Sequence, residues 1–206
     1  MKVLLINGSP HEKGCTYTAL SLIAGELKAQ GIETEILHVG GQPVGGCIGC
    51  GGCRSGNGCV FGGVVNEAIE KAKTADAFVF GSPVHYASAA GNMASFMDRL
   101  AYAGGKYLAY KPAAICCSAR RAGTTSTLDQ LVKYPQFFHM PLVNGSYWAM
   151  VHGSNPEQIL QDAEGCAVMQ ELGRNMAWLL RCIEAGKAAG IDHPQNPPRP
   201  MTNFIR

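Results

Sequence analysis

The 206-residue sequence is poor in charge: Asp, Glu, Lys and Arg make up 16% of it, against a usual quarter in soluble domains. Seventeen Lys and Arg face 15 Asp and Glu, for a net charge of +2, and no basic run occurs. These scarcities exclude a disordered polyelectrolyte, a coiled coil and an electrostatic footprint for nucleic acid. Long apolar runs are missing too. Val3–Ile6 is too short for a signal-peptide core, and no later run is long enough to cross a bilayer. The expected setting is the cytoplasm, with neither membrane nor nucleic acid among the partners. Disulfides are rare there, so the nine cysteines point elsewhere: clustered ones to metal, redox or catalytic use, scattered ones to packing. The sequence also lacks a strand-to-helix G-x-G-x-x-G turn and the Gly-Lys-Ser/Thr end of a Walker loop. Rossmann-type dinucleotide binding and ATP hydrolysis both lose support.

Glycine is abundant, at 26 residues without a three-residue period, which implies many tight turns. Val3–Ile6 reads as a buried parallel strand, and Leu20, Ile23, Ala24 and Leu27 as a helical stripe stopped by Gly31. Strands are expected at Glu33–Val39, Ala77–Phe80, Ala113–Cys117 and Leu142–Met150. Helices are expected near 64–72, 89–103 and 124–134, and a long one over 156–188 with Asn155 as its cap and Pro156 at its first position. Strands alternating with helices give βαβ units, a parallel sheet with helices on both faces, and a ligand beyond the carboxyl ends of the strands. Residues 1–190 are read as one domain containing a cysteine-rich loop at 43–62. The four-proline stretch His193–Pro200 makes 191–206 an irregular tail.

Three expected strand ends carry chemistry. The first turn, Gly8-Ser9-Pro10-His11-Glu12-Lys13-Gly14-Cys15-Thr16, brackets a helix start with hydroxyls, and free backbone N–H groups there attract an anion. A plain capped helix is the alternative. The second end reads Gly81-Ser82-Pro83-Val84-His85-Tyr86 and the third Ser118-Ala119-Arg120-Arg121-Ala122-Gly123-Thr124. With Ile6-Asn7-Gly8-Ser9-Pro10 and Ala94-Ser95-Phe96-Met97-Asp98-Arg99, the chain over roughly residues 1–150 resembles the flavodoxin-like NAD(P)H-dependent FMN reductases. The resemblance implies an α/β three-layer sandwich with a five-stranded parallel sheet in the order 2-1-3-4-5. It also implies that Ser9, His11, Cys15, Thr16 and Tyr17 wrap the FMN phosphate. His11 stands where Arg or Lys is usual, and Cys15 where Asn or Ser is usual. Pro83, Val84, His85 and Tyr86 would hold the isoalloxazine ring, with Ser118, Arg120 and Gly123 at its pyrimidine end. Arg120 or Arg121 would stabilise anionic reduced flavin, greet an anionic substrate or nicotinamide phosphate, or simply be solvated. His85 and Tyr86 are the candidates for proton donation and stacking, against a packing role.

Cys47, Cys50, Cys53 and Cys59 form C-x2-C-x2-C-x5-C with glycine spacers. Four thiolates in so short a span suit a [4Fe–4S] cluster better than zinc, which prefers knuckles farther apart. The spacing and its place after strand two resemble the iron–sulfur flavoproteins. The alternative is a loop of reduced thiols. Together these readings give an FMN-dependent oxidoreductase that moves electrons from NAD(P)H or a ferredoxin-type donor to a quinone, azo or nitro compound, or oxygen. An FMN and iron–sulfur electron-transfer module without a small substrate is the alternative. Flavoproteins of this kind are usually dimers or tetramers, so a homo-oligomer is expected. The aromatics at Phe137, Phe138, Tyr147 and Trp148, more than one sheet sandwich needs, support it.

Overall fold

The computed structural model describes residues 1–202 and Phe204. In chain order the strands are β1 (Lys2–Asn7), β2 (Glu33–His38), β3 (Ala77–His85), β4 (Ser88–Ala89), β5 (Ala113–Ala119) and β6 (Met150–His152). The helices are α1 (Cys15–Ala29), α2 (Val64–Thr74), α3 (Gly91–Gly104), α4 (Thr124–Phe137), α5 (Pro156–Ile159) and α6 (Ala163–Ala188). Five strands pair in parallel in the order β2-β1-β3-β5-β6, and β4 folds back antiparallel on the end of β3. With the two-residue β4 set aside, this is the flavodoxin-like 2-1-3-4-5 order.

Strand alternation splits the core into two layers. Leu4, Ile6, Phe78, Phe80 and Ile115 face α2, α3 and α4, whereas Val3, Leu5, Val79, Cys116 and Val151 face α1 and α6. Both faces are covered, which is why the central strands read as unbroken apolar runs rather than as alternation. Burial pushes the Cys117 thiol up to about 12 and that of Cys116 higher still, so both act as small core residues.

Three expected boundaries are corrected. Gly81-Ser82-Pro83 does not end β3, because pairing with β5 continues through Pro83 opposite Ser118. Pairing with β1 stops at Gly81, so Pro83 has a strand neighbour on one side only and its missing N–H is tolerated. The fifth strand shrinks from 142–150 to Met150–His152. Leu142 makes one bridge to Ala113, and then Asn144-Gly145-Ser146 leaves the sheet, with Ser146 donating to Glu171 Oε2 from both N and Oγ at 2.8 and 2.7 Å. The helix expected over 156–188 is two: α5 ends at Ile159, and Asp162 recaps α6 by accepting from Gly165 N at 3.0 Å.

Candidate functional site

The carboxyl ends of β1, β3 and β5 gather three turns at the point where strand order reverses, β1 leading to β2 on one side and lying beside β3 on the other. In the first turn, Ser9 is 3% exposed. Its Oγ accepts from His11 N at 3.1 Å, which leaves the hydroxyl proton free to donate. Asn7 shapes the turn by accepting from Ser9 N and donating to the Glu12 carbonyl. His38, at the end of β2, holds the Ser9 carbonyl through Nε2 at 2.7 Å. Gly40 packs so closely that a Cβ there would lie 2.2 Å from the Ser9 oxygen.

Helix α1 begins after Gly14 with no side-chain cap and no acidic residue in its first turn. Its opening N–H groups, at Cys15, Thr16 and Tyr17, are therefore available to an anion, and the helix dipole favours one. The structure separates the residues assigned to this turn. His11 is exposed and Tyr17 half-buried, whereas Thr16 is 1% exposed and its Oγ1 shares a 2.8 Å hydrogen bond with Ser118 Oγ. The Thr16 and Ser118 hydroxyls thus tie α1 to the end of β5, and what Thr16 can offer an anion is its backbone N–H. Burial pushes the Cys15 thiol up, with the Glu157 carboxylate adding to it. This sulfur donates to the Gly153 carbonyl at 3.7 Å, and a raised thiol works against thiolate formation.

The second turn is a hairpin. Val84 pairs with Ala89 and His85 with Ser88, so Tyr86 and Ala87 form its two-residue tip, at φ of 48° and 58°. Two successive non-glycine residues in the left-handed region are strained, and neighbours hold them there. Ser126 Oγ donates to the Ala87 carbonyl at 2.6 Å, and Gln130 Oε1 accepts from Ser88 Oγ and Ala89 N at 2.6 and 2.9 Å. Gly123, at φ of 96°, lets α4 begin against this tip. The arrangement leaves Pro83 and Val84 half-buried and His85 and Tyr86 exposed, Tyr86 completely so at 105%. Arg120 and Arg121 are exposed in the third turn, and neither has a carboxylate within 4.0 Å among the described residues.

The cysteine segment runs between β2 and α2. Cys47 and Cys50 are exposed, and Cys53 and Cys59 half-buried. A short 3-10 turn at Gly52–Ser55 and left-handed glycines at 49, 51, 56 and 58 curl the chain. Among the described residues no three potential ligands come close enough to hold a metal. The donor set has the chemistry of an iron–sulfur site, but these sulfurs are not gathered. Asn92 pins the start of the segment through the Gly40 and Gln42 carbonyls and Val44 N, and Asn66 and Arg99 hold Cys59. His38, Asn92 and Gln130 are not legible in the sequence because each acts on a residue distant in the chain, and Asn66 because its clamp on Cys59 follows no recognisable spacing. Arg99 lies in a quoted motif, yet nothing in that motif reveals its contact with Cys59.

Two cavities lie elsewhere. One, of about 470 Å³, opens between α4 and residues 142–149, and the other, of about 1070 Å³, at the opposite end of the sheet beside α6 and residues 190–193.

The strand order, the anion-ready helix start and the exposed turn beside it define a flavodoxin-like protein. The profile of the NADPH-dependent FMN reductases matches residues 1–155, and the chain belongs to that family of FMN-dependent flavoprotein oxidoreductases. It is 27% identical over 192 residues to an iron–sulfur flavoprotein of Methanocaldococcus jannaschii, covering 89% of this chain and all of the relative. Among solved structures it resembles RosB with bound 8-demethyl-8-formylriboflavin-5'-phosphate (TM-score 0.71, 14% identity, 100% of this chain and 96% of the other). It also resembles an archaeal flavodoxin (TM-score 0.60, 14% identity, 88% and 99%). At those identities the two structures speak for the fold. Among the described residues no helix is long and apolar enough to cross a membrane.

Proposed function

We propose that the chain binds FMN across the carboxyl ends of β1, β3 and β5 and uses it to pass electrons from NAD(P)H or a ferredoxin-type donor to a small electrophile such as a quinone, azo or nitro compound, or oxygen. The observation that carries this reading is the pairing of an uncapped, acid-free helix start at α1 with the Val84–Ala89 hairpin on the neighbouring strand, whose His85 and Tyr86 are exposed. The residues present fit the cofactor: Ser9 retains a hydroxyl proton, and no side chain caps the helix start at N–H groups 15–17, which leaves them to a phosphate. FMN supplies hydride and single-electron chemistry when bound.

The chain's own residues bind and orient. Lys13 adds a cationic donor at the phosphate turn, and His11 a ring nitrogen beside it. The apolar edge of Pro83 and Val84 packs a flat ring, and the rigid hairpin fixes its angle. His85 would hold or give a proton at its imidazole, and Tyr86 would stack on ring or substrate. Arg120 and Arg121 attract the anionic part of donor or acceptor. Cys47, Cys50, Cys53 and Cys59 would be the ligands of an iron–sulfur centre.

Because Tyr86 is fully exposed, the ring would lie open to water in one chain, which supports a second subunit covering it in a homodimer or homotetramer. The test is anaerobic: FMN-loaded protein mixed with NADPH, NADH or reduced ferredoxin should lose its oxidised-flavin absorption within a turnover time and regain it on addition of a quinone. Protein that takes up no FMN contradicts the reading.

A further inference from the structure

One fastening of the cysteine segment is unusual in charge. Arg99, on α3, is 7% exposed. Its Nε donates to Cys59 Sγ at 3.2 Å, Nη2 to the Gly62 carbonyl at 3.1 Å and Nη1 to the Gly45 carbonyl at 3.4 Å. The guanidinium lies 5.5 Å from the centre of the Phe61 ring. No carboxylate lies within 4.0 Å of it among the described residues, and the adjacent Asp98 is turned to the Tyr134 hydroxyl at 2.5 Å. A permanently charged group out of water is costly unless an anion faces it. Of its hydrogen-bond partners, only the Cys59 sulfur can carry negative charge.

Cys59 is fixed from its backbone side as well. Its N–H donates to Asn66 Oδ1 at 2.8 Å and its carbonyl accepts from Asn66 Nδ2 at 3.0 Å. A Cβ on Gly58 would meet Asn66 Oδ1 at 2.8 Å, so the segment also closes tightly on that clamp. Cys47 and Cys50 stand exposed, Cys50 between the left-handed Gly49 and Gly51. One sulfur is therefore held in place beside an uncompensated cation, and the other three are carried on a segment built to curl.

We propose that Arg99 is the positioning residue and counter-charge of an anionic iron–sulfur centre, with Cys59 as its pre-set ligand and Cys47, Cys50 and Cys53 drawn in when the centre assembles. This rests on the reading of the four cysteines as ligands. On assembly each thiol releases its proton to solvent as its sulfur binds iron, and that step transfers no electron. A buried cation and an N–H donated to a ligand sulfur both favour the more reduced, more negative state, so Arg99 raises the centre's reduction potential.

The experiment is anaerobic reconstitution of the whole protein with iron and sulfide, comparing wild type, R99K and R99M. Three readouts are taken: bound iron, the midpoint potential of the centre and the rate of trypsin cleavage after the exposed Arg54. Bound FMN and the melting midpoint serve as fold controls. Wild type should take up iron and sulfide, and cleavage after Arg54 should slow on loading. R99K keeps the charge but not the Nε–H, and should show a lower potential than wild type; R99M should show a lower one still, or lose the centre. If R99M fails to fold, R99K decides. A potential and iron content in R99K equal to wild type overturn the role of Arg99 while leaving the ligand reading intact. Loading that leaves cleavage unchanged overturns the gathering of the segment. Wild type that takes up no iron overturns the ligand reading itself.

Discussion

Gly123→Ala tests whether the hairpin at the flavin turn is held from below. Gly123 sits at φ of 96°, where an L side chain costs about 1–2 kcal/mol. Its new methyl would lie 2.6 Å from Ala87 Cα and 2.8 Å from Val84 Cγ1. The Ala87 backbone cannot yield cheaply, because it is already in the left-handed region and its carbonyl is bonded to Ser126. Overpacking of this kind costs about 1–3 kcal/mol, so the two effects together should remove about 2–5 kcal/mol of stability. A domain with a usual margin of about 5–15 kcal/mol stays folded, which makes urea unfolding a workable assay. The midpoint should fall with little change in slope, and FMN affinity should weaken because Val84–Tyr86 are displaced. Gly25→Ala is the control. It lies exposed in the middle of α1 with nothing within 4 Å of the added carbon, and should gain about 0.5–1 kcal/mol. Wild-type unfolding and wild-type FMN affinity in Gly123→Ala would refute the packing argument.

Ser9→Ala should weaken FMN by about 1.5–3 kcal/mol, roughly tenfold to a hundredfold by flavin fluorescence, because a donor to a charged group is lost. Thr16→Val should leave that affinity nearly unchanged and cost about 1 kcal/mol of stability, since its hydroxyl is engaged with Ser118; the opposite ranking contradicts the assignment. Glu35 is held below the usual carboxylate range by Lys2 first and then Lys71, so its contribution is present above the ordinary Glu value and lost as pH falls through its lowered one. Glu35→Gln should therefore be less stable than wild type at neutral pH, by under about 1 kcal/mol for so solvated a cluster, and equal to it in acid. Light scattering of the FMN-loaded protein should give a multiple of the 21.8 kDa chain mass, and a mass of one chain with FMN fully bound contradicts the covered-ring argument.

The sheet was legible because its strands are covered on both faces. Val3–Ile6 reads as a strand whatever surrounds it, and the three chemically marked turns lie at its carboxyl end as the βαβ rule requires. Legibility failed where a distant contact decides local structure. Leu142–Met150 is apolar enough for a strand, but Glu171 on α6 draws Ser146 away from the sheet. The break after Ile159 arises because Asp162 both caps α6 and accepts from His152 N at 2.7 Å, joining the helix start to β6. In the candidate site the residue types were legible and their division of labour was not. Ser9 and Thr16 look equivalent in sequence, and only packing shows that one hydroxyl keeps a free proton while the other binds Ser118. The tip at Tyr86 and Ala87 carries no glycine or asparagine to announce a left-handed turn, because Ser126, Gln130 and Gly123 impose it from α4.

The phosphate subsite at the start of α1 is the claim on which the rest depends, and it separates FMN from riboflavin, which differs only in lacking the phosphate. Calorimetric titration of the apoprotein with each should give one FMN per chain and riboflavin weaker by at least about 3 kcal/mol, on the order of a hundredfold, since two or more hydrogen bonds to a charged group are lost. Equal affinity for the two, or binding of neither, would contradict the site.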